Sequence, residues 1–347
     1  MVSEPNTTDR YIRQERFAPL GETGQTRLRS ASAAIVGCGA LGSMIAERLG
    51  RAGVGRLRLI DRDWVELSNL QRQTLYTQVD ASEAVPKAVA ASQHLAAINS
   101  DVAVQPIVAD LIYENVRSLL SEVDLVIDGT DNFPTRFLIN DFAVQTSTPW
   151  VHGGCLGASG QVLSIVPGAT ACLRCLIPEP PPPSAVETCD SAGVLGPAVG
   201  LVACWQAAEA LKILSGNAEA ICDGLIVIDS WQTQMRVVQL PRDPNCPCCG
   251  KHEFPYLNGM LHQESTVLCG KNAVQILLGS EAFTNFSDAE VRLTRVAGQA
   301  AVQANPYFVR AGIDGFTITI FRGGRTVVEG TEDVTIARSL VAKTLGS

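Results

Sequence analysis

The sequence is poor in charged and in aromatic residues, and it has no excess of positive charge. Charged residues make up 18% of its 347 positions and aromatic residues 5%. The formal net charge is −8, with 27 lysines and arginines against 35 aspartates and glutamates. Because an acidic chain does not attract nucleic acid through its overall field, we expect no nucleic-acid partner. Hydrophobic residues make up 46%, enough to bury a large core, which excludes a disordered or collagen-like protein.

The sequence also lacks a long uninterrupted apolar run and an apolar segment near its first residue. No stretch contains the roughly 18 consecutive apolar residues of a membrane span, and residues 1–10 are polar, unlike a secretory signal peptide. We therefore expect a cytoplasmic protein with no membrane partner. In that compartment the 11 cysteines stay reduced, and clustered cysteines more often hold metal or take part in chemistry than form disulfides.

Alternating strand and helix patterns predict an α/β fold with a doubly wound, mainly parallel, Rossmann-like sheet. A buried strand at residues 31–36 is followed by a glycine-rich turn, a helix and a second strand at residues 56–60, which together form one βαβ unit. After about residue 150, period-two alternation predicts an antiparallel extension of the sheet. We predict that residues 1–250 form this domain. Residues 251–347 are predicted to form a small α+β module with one hairpin.

The glycine-rich turn after the first strand predicts a phosphate-binding site. Gly37, Gly39 and Gly42 allow the backbone to approach an anion at a helix N-terminus, where free N–H groups and the helix dipole favour negative charge. Asp61, at the end of the next strand, is placed to accept hydrogen bonds from ribose hydroxyls. These residues do not distinguish ATP from a nicotinamide cofactor. They also fit a turn that is glycine-rich only for packing.

Charged residues downstream of this turn favour a nucleoside triphosphate. Arg72 and Lys87 bring two cations to the predicted pocket. A bound triphosphate would repel an incoming carboxylate, because two like charges at 4 Å repel by roughly 4 kcal/mol at an effective dielectric near 20. The two cations would offset this repulsion. Asp131 follows a strand end, where open α/β sheets bind ligands, and a carboxylate there suits Mg²⁺. Each of these residues, taken singly, is more often an ordinary surface charge.

Two CxxC pairs predict a four-thiolate metal site. Cys172 and Cys175 form the first pair, and Cys246 and Cys249 form the second. Four cysteine thiolates are the ligand set of a structural, tetrahedral zinc site, which has no open position for catalysis. Cys248 lies between two predicted ligands and is not expected to bind. The alternative is a group of buried thiols or a redox pair.

The order of these motifs resembles the ubiquitin-activating-like adenylyltransferases of the MoeB/ThiF/HesA family, from about residue 10 to residue 249. The resemblance implies the ThiF fold and a homodimer. It implies adenylylation of the C-terminal Gly-Gly carboxylate of a β-grasp sulfur-carrier protein (ThiS- or MoaD-like), with release of pyrophosphate, in preparation for thiocarboxylate formation. The implied pathways are thiamine, molybdenum cofactor or another sulfur pathway. A sulfur donor such as a cysteine desulfurase or a rhodanese is implied as a further partner.

The resemblance also implies roles for individual residues, with ATP, Mg²⁺ and structural Zn²⁺ as cofactors. The nucleotide-binding positions of the family match Gly37, Gly39, Gly42, Asp61, Asn69, Arg72 and Lys87. Its catalytic positions match Asp131, Arg72, Lys87, Arg13 and Cys189. Asp131 matches the aspartate that holds magnesium, and Arg13 an arginine that reaches the phosphates from the partner subunit. Cys189 matches a crossover-loop cysteine that bonds to the carrier or helps sulfur transfer in some members and is dispensable in others.

Three other functions fit the sequence less well. The same fold also adenylates small-molecule or tRNA-linked carboxylates, but the CxxC pairs and Cys189 argue for a carrier protein and the negative charge argues against tRNA. A nicotinamide-dependent dehydrogenase is an alternative from another class, and it should also offer a catalytic proton donor and a ring pocket. A catalytically silent zinc protein is disfavoured by the presence of Arg72, Lys87 and Asp131.

Overall fold

The structure, a computed structural model, divides the chain into two compact units, residues 1–261 and 262–347. It describes residues 10–182, 192–261, 265–268, 272–277, 286–298, 301–321 and 324–345. The first unit extends past residue 250, where the sequence pattern places the boundary, because Phe254, Tyr256 and Leu257 pack into its core.

An eight-stranded sheet forms the centre of the first unit. Its strands are β1 Ser32–Val36, β2 Arg56–Ile60, β3 Ala103–Ile107, β4 Leu125–Asp128, β5 Trp150–Leu156, β6 Ser159–Ile165, β7 Leu225–Asp229 and β8 Gln234–Val238. They lie in the order β3-β2-β1-β4-β5-β6-β7-β8. Strands β1 to β5 pair in parallel, whereas β6, β7 and β8 are added antiparallel. The predicted doubly wound, mainly parallel sheet with an antiparallel extension is confirmed.

Helices cover both faces of this sheet. They are α1 Ile12–Glu15, α2 Gly21–Ser30, α3 Ala40–Ala52, α4 Gln78–Ser82, α5 Lys87–Ile98, α6 Val116–Leu120, α7 Phe133–Thr146, α8 Leu173–Leu176 and α9 Gly196–Leu214. Helix α3 ends at Gly53, whose φ of +82° is a left-handed conformation that glycine adopts without strain. Helix α7 begins at Asn132, whose side chain accepts a hydrogen bond from the Thr135 N–H (3.0 Å).

The central strand β1 contributes to two separate cores, because successive residues of a strand point to opposite faces of the sheet. Ala33 and Ile35 pack in one core with α3, α5 and α9. Ala34 and Val36 pack in the other with α6, α7 and the cysteine pairs. The strand order reverses between β1 and β4, and open α/β sheets bind ligands at such a switch point, outside the carboxyl ends of the strands.

Within the described residues, α9 is the one helix long and apolar enough to cross a membrane, judged by length and composition alone. Half of its qualifying segment is buried in the unit. Two of its polar side chains are also buried and hydrogen-bonded: Glu209 accepts from Ser164 Oγ (2.8 Å), and Gln206 Nε2 donates to the Asp128 carbonyl (2.7 Å). A buried core helix passes the same test, so α9 is weak evidence for a membrane span.

The second unit is the predicted α+β module. Its strands are β9 Ser265–Leu268, β10 Ala273–Leu277, β11 Val302–Ala304, β12 Phe308–Ile313, β13 Phe316–Phe321 and β14 Arg325–Glu329. They form an antiparallel sheet in the order β11-β12-β13-β14-β10-β9. Helices α10 (Phe286–Ala297) and α11 (Val334–Leu345) complete its core. The pairing of β13 with β14 confirms the predicted hairpin.

Candidate nucleotide site and cysteine cluster

The glycine turn lies at the switch point, between the carboxyl ends of β1 and β4. Gly37 has a φ of +84°. A Cβ added to Gly42 would lie 1.7 Å from the Gly37 carbonyl oxygen, and one added to Gly129 would lie 2.4 Å from the same atom. Three glycines thus let the turn after β1, the start of α3 and the segment after β4 pack backbone to backbone. A Cβ on Gly39, in contrast, would have its nearest neighbour at 3.9 Å, so packing does not require glycine there.

Asp61, the residue after β2, is hydrogen-bonded to this turn. Its Oδ2 accepts a hydrogen bond from the Cys38 N–H (2.6 Å) and its Oδ1 from the Asp63 N–H (2.7 Å). Burial raises the pKa of Asp61, and the charge of Lys87 opposes that shift. Because each carboxylate oxygen can accept more than one hydrogen bond, Asp61 can hold the turn and still accept from a hydroxyl group.

Lys87, the first residue of α5, supplies a buried cation. Its Nζ lies 3.7 Å from Asp63 Oδ2. Burial lowers the pKa of Lys87, but the carboxylates of Asp63, Asp61 and Asp131 outweigh burial, and the net shift is upward. Lys87 is therefore fully charged at neutral pH, as contact with phosphate requires.

Asp131 is exposed in the segment between β4 and α7. Its negative charge acts on Lys87 and also on Arg62, which pairs with Asp110 at 2.7 Å. The structure therefore brings Asp131 within electrostatic range of Lys87 and of Arg62, and sequence reasoning did not select Arg62.

A buried ionic network fixes the strand end that precedes Asp131. Asp128 accepts hydrogen bonds from Arg136 Nε (3.1 Å) and Thr130 Oγ1 (2.6 Å), and His152 Nδ1 lies 2.8 Å from its Oδ2. Arg136 also donates to the Thr130 carbonyl (2.7 Å). Burial opposes ionisation of Asp128, but Arg136 and the hydrogen bonds hold its pKa below the usual range, while burial lowers the pKa of His152. His152 is thus neutral at pH 7, and the network links β5 and α7 to the end of β4.

Asn69 and Arg72 belong to a short 3₁₀ turn, Leu67–Asn69, and the segment that follows it. Asn69 is buried, and its Oδ1 accepts from the Glu66 N–H (3.3 Å). Arg72 is half-buried, and its Nη1 donates to the Ser68 carbonyl (3.2 Å). In the part of the chain that the structure describes, no carboxylate pairs with Arg72, so most of its donors are available to a ligand.

Two predicted residues are not brought to this turn. Arg13 is exposed on α1, and the neighbouring Tyr11 packs against Gly53, at the C-terminal end of α3. Helix α3 has 13 residues and is therefore about 20 Å long, so Arg13 lies a helix length away from the turn at its N-terminal end. Cys189 lies outside the described residues.

The two cysteine pairs meet as predicted. The Sγ atoms of Cys172, Cys175, Cys246 and Cys249 lie within 4.8 Å of one another. The distance from Cys172 to Cys246 is 3.6 Å and that from Cys175 to Cys249 is 3.4 Å. A tetrahedral zinc ion with Zn–S bonds near 2.3 Å separates its sulfurs by about 3.8 Å, so the cluster can hold such a metal. Cys248 is outside the set and accepts from Asn140 Nδ2 (3.1 Å).

Sequence reasoning missed two residues beside the turn. Gly129 is needed for backbone packing, but a lone glycine after a strand gives no signal of what will lie against it. Gln73 is buried, and its Nε2 is the atom that lies 3.9 Å from the Cβ position on Gly39. A glutamine has no charge or spacing rule by which the sequence alone could have selected it.

The switch-point turn, the buried lysine and the four-cysteine cluster are those of an α/β protein with a candidate nucleotide site and a cluster that could hold a metal ion. The model of the ThiF family matches residues 11–248, and the chain belongs to that family. The "Sulfur carrier protein ThiS adenylyltransferase" of Bacillus subtilis is 42% identical over 348 residues, covering 98% of this chain and 100% of the relative. The "Sulfur carrier protein adenylyltransferase" of Thermus thermophilus is 42% identical over 247 residues, 70% of this chain and 90% of the relative.

Among solved structures, Escherichia coli MccB with ATP has a TM-score of 0.61 and 24% identity. It covers 70% of this chain, and the match covers 75% of MccB. At that identity the likeness supports the fold alone.

Proposed function

We propose that this protein is an adenylyltransferase that joins AMP from ATP to the C-terminal carboxylate of a sulfur-carrier protein and releases pyrophosphate. The observation that carries the proposal is the likeness to the B. subtilis ThiS adenylyltransferase, which extends over nearly the whole chain and so includes the second unit. For that reason a ThiS-like carrier with a Gly-Gly end, and thiamine synthesis, are favoured. A MoaD-like carrier and molybdenum cofactor synthesis are the alternative.

The pocket supports this reaction through its charges. Phosphates would lie at the N-terminus of α3, where Gly39 leaves space and the first N–H groups have no partner within the helix. Lys87 is charged, and Arg72 has donors available, so both would neutralise the triphosphate. Asp61 would accept from the ribose and Asn69 would hold the 3₁₀ turn. Asp131 would hold Mg²⁺, a cation that prefers carboxylate and phosphate oxygens and would neutralise further phosphate charge when bound.

In the proposed step, a carboxylate oxygen of the carrier attacks the α-phosphorus. The new P–O bond forms an acyl-adenylate, and the bond to the β-phosphate breaks, so that pyrophosphate leaves with its electron pair. Because the carboxylate is already ionised at neutral pH, no general base is required. The work of this chain is positioning and charge neutralisation. A sulfur donor, for example a cysteine desulfurase or a rhodanese, would then convert the adenylate to a thiocarboxylate, with Cys189 as a candidate participant.

A second subunit would complete the pocket. Arg13 lies a helix length from the turn of its own chain, and two large apolar side chains beside it, Ile12 (39% exposed) and Phe17 (63% exposed), are uncovered. We therefore propose a homodimer in which this N-terminal arm packs on a second copy and Arg13 reaches its phosphates.

The cysteine cluster would hold structural zinc. Its four sulfurs occupy all positions of a tetrahedral ion, so the metal takes no part in the reaction. It would fix the segment of α8 to the segment at residues 246–249. Thiolate ligands require reduced cysteines, which fits the proposed cytoplasmic location.

Exchange of labelled pyrophosphate into ATP tests the proposed reaction, with a ThiS-like carrier as the substrate. Wild-type protein should exchange only when the carrier is present. Asp131→Asn should reduce the rate by about 100-fold or more, because it removes the metal-binding charge. Asp223→Asn, a matched change at an exposed carboxylate, should not change it. Exchange that depends on an added small-molecule carboxylate and not on the carrier would favour a small-molecule substrate, and no exchange with the carrier would contradict the proposal.

A further inference from the structure

Helix α9 has its polar and apolar residues in the reverse of the usual arrangement. Its polar side chains Gln206 and Glu209 are fully buried. Between residues 196 and 211, all of which the structure describes, every residue that reaches the surface is glycine, proline or hydrophobic, and Leu201 is 44% exposed. A helix that is apolar all round is ordinarily covered on every side. The outer face of α9 is therefore expected to be covered by a partner.

The exposed face of α9 has the residue spacing of a helix–helix contact. Successive positions along it are four, three, four and three residues apart. These steps average 3.5 residues, the repeat with which one helix packs along another. Alanine and cysteine at two of the positions are small, so a second helix can approach closely. We name this set the α9 seam, and it consists of Pro197, Leu201, Cys204, Ala208 and Leu211.

The two ends of α9 lie beside different parts of the candidate site. A Cβ on Gly196, at the start of the helix, would lie 3.1 Å from the Gln71 carbonyl oxygen, next to Arg72. At the other end, Arg27 Nη1 of α2 donates to the Ser215 carbonyl (3.2 Å). Helix α1, which carries the N-terminal arm, is joined to α2 by a side-chain hydrogen bond of 2.7 Å. The 19 residues of α9 thus separate the nucleotide end from the arm end by about 28 Å.

Two-fold symmetry turns this separation into a contact between copies. Most homo-oligomers are two-fold dimers in which the same patch serves both copies. In an antiparallel pair of α9 helices, the start of each helix lies beside the end of the other. The arm of one copy then lies at the nucleotide turn of the second copy, a helix length from its own turn. A parallel pair would bring the two arms together and would leave both turns without an arm.

We propose that the α9 seam is the surface through which two copies of this chain dimerise, with their α9 helices antiparallel about Cys204. This inference rests on the proposed homodimer and names its surface and orientation. Cys204 is the central residue of the seam, so the two copies of Cys204 face each other. Leu201 of each copy packs against Ala208 of the other, a large side chain against a small one.

A second copy fits the α9 seam better than a lipid surface does. Helices that lie on membranes carry several lysines or arginines on their polar face. Helix α9 has one basic residue, Lys212, in its last turn, and its other polar side chains are buried in the protein. The chemistry of the seam is therefore that of a protein contact.

The native Cys204 thiol, which is exposed in the single chain, supplies the first test. A short bismaleimide should join wild-type chains into a dimer on a denaturing gel, and Cys204→Ser should give at least tenfold less of it. The orientation is tested in the Cys204→Ser background, where Leu201→Cys mixed with Ala208→Cys should crosslink more strongly than either variant alone. Equal dimer bands from wild type and Cys204→Ser, or the strongest crosslink within Leu201→Cys alone, would overturn the inference.

A charge placed in the seam supplies the second test. Leu201→Asp should be monomeric in sedimentation velocity, and carrier-dependent pyrophosphate exchange should fall about 100-fold, because each site loses the cation that Arg13 supplies from the second copy. Val291→Asp, at a 57% exposed position on α10, is the matched control and should stay dimeric and active. If Leu201→Asp does not fold, crosslinking of the wild type through Cys204 decides.

The remaining outcomes separate this inference from the proposed function. A monomeric wild type, or a Leu201→Asp variant that stays dimeric, overturns the inference, while carrier-dependent exchange leaves the proposed reaction intact. Flotation of wild type with vesicles of phosphatidylcholine and phosphatidylglycerol, lost in Leu201→Asp, would assign the seam to a lipid surface and would also overturn it. Absence of carrier-dependent exchange in a wild type that crosslinks through Cys204 contradicts the proposed reaction and supports the seam.

Discussion

At the residue scale, the glycines around the switch point have two distinct roles. Gly37, Gly42 and Gly129 are required by close backbone packing, whereas a Cβ on Gly39, at the start of α3, would meet no backbone atom within 4 Å. Backbone packing therefore accounts for three of these glycines, and the proposed phosphate site accounts for Gly39.

Alanine substitutions distinguish these roles. Gly42→Ala should reduce the free energy of unfolding by about 3 kcal/mol or more, because its Cβ would overlap the Gly37 carbonyl and the backbone must move. Gly39→Ala should cost less than about 1 kcal/mol, since the nearest atom to its Cβ would be Gln73 Nε2 at 3.9 Å, an ordinary van der Waals contact. It should instead weaken the stabilisation by Mg·ATP, because the methyl group restricts the approach of phosphate. Chemical denaturation with and without nucleotide measures both effects, and equal destabilisation by the two variants would contradict the assignment.

The buried His152 predicts a pH dependence of stability. Burial lowers its pKa in the folded protein, so the unfolded state binds a proton more readily. The contribution of the neutral His152 side chain to the free energy of unfolding is complete above the unfolded-state pKa, near 6.5. It is lost as the pH falls from that value through the lower pKa of the folded state. From pH 7 to pH 5 the wild type should therefore lose stability, and His152→Asn should lose less. His252→Asn, at an exposed histidine, is the control and should follow the wild type. Parallel curves for wild type and His152→Asn would contradict the burial argument.

At the scale of elements, the sequence predicted those features that depend on the pattern of neighbouring residues. Strand β2 spans its predicted residues, 56–60, because a short apolar run between a glycine and an aspartate marks both of its ends. The meeting of the cysteine pairs could be predicted because CxxC spacing is typical of metal ligands, and a tetrahedral metal site needs two such pairs. The network of Asp128, Arg136 and His152 could not, because its members come from three elements and meet only when the sheet forms.

Strand β8 shows another limit of pattern reading. The period-two alternation that predicts the antiparallel extension runs from Trp231 to Val237, but the strand begins only at Gln234. The apolar side chains of the strand are exposed in this chain, with Met235 56% and Val237 47% exposed. Periodicity identifies a strand; it does not tell what covers each of its faces.

The zinc proposal belongs to this scale, because the metal would join two distant segments. Purified protein should contain one zinc ion per chain. Cys246→Ser should lose it and unfold at a temperature lower by roughly 5 °C or more, since 1 kcal/mol shifts this temperature by about 2–4 °C at this size and a structural metal contributes several times that. Cys204→Ser, at an exposed cysteine outside the cluster, is the matched control. A metal-free protein of unchanged stability would contradict the proposal.

At the scale of the whole molecule, the proposed homodimer predicts that a second copy completes the pocket of each chain. If Arg13 acts across the dimer, each site takes Asp131 from one subunit and Arg13 from the other. Arg13→Ala and Asp131→Asn then remove residues that different subunits supply to the same site. A mixture of the two inactive variants should then recover activity, up to about a quarter of wild type for random exchange, because half of the dimers are mixed and each has one intact site. Pyrophosphate exchange after subunit mixing measures this. No recovery, with mixed dimers shown by native mass spectrometry, would place Arg13 outside the site.

The most direct measurement of the central claim is the intact mass of the carrier after incubation with this protein and Mg·ATP. A ThiS-like carrier with its Gly-Gly end should gain one AMP, and a carrier lacking the last glycine should not, because the reacting carboxylate is then misplaced. An unchanged carrier mass, or equal modification of the shortened carrier, would contradict the account.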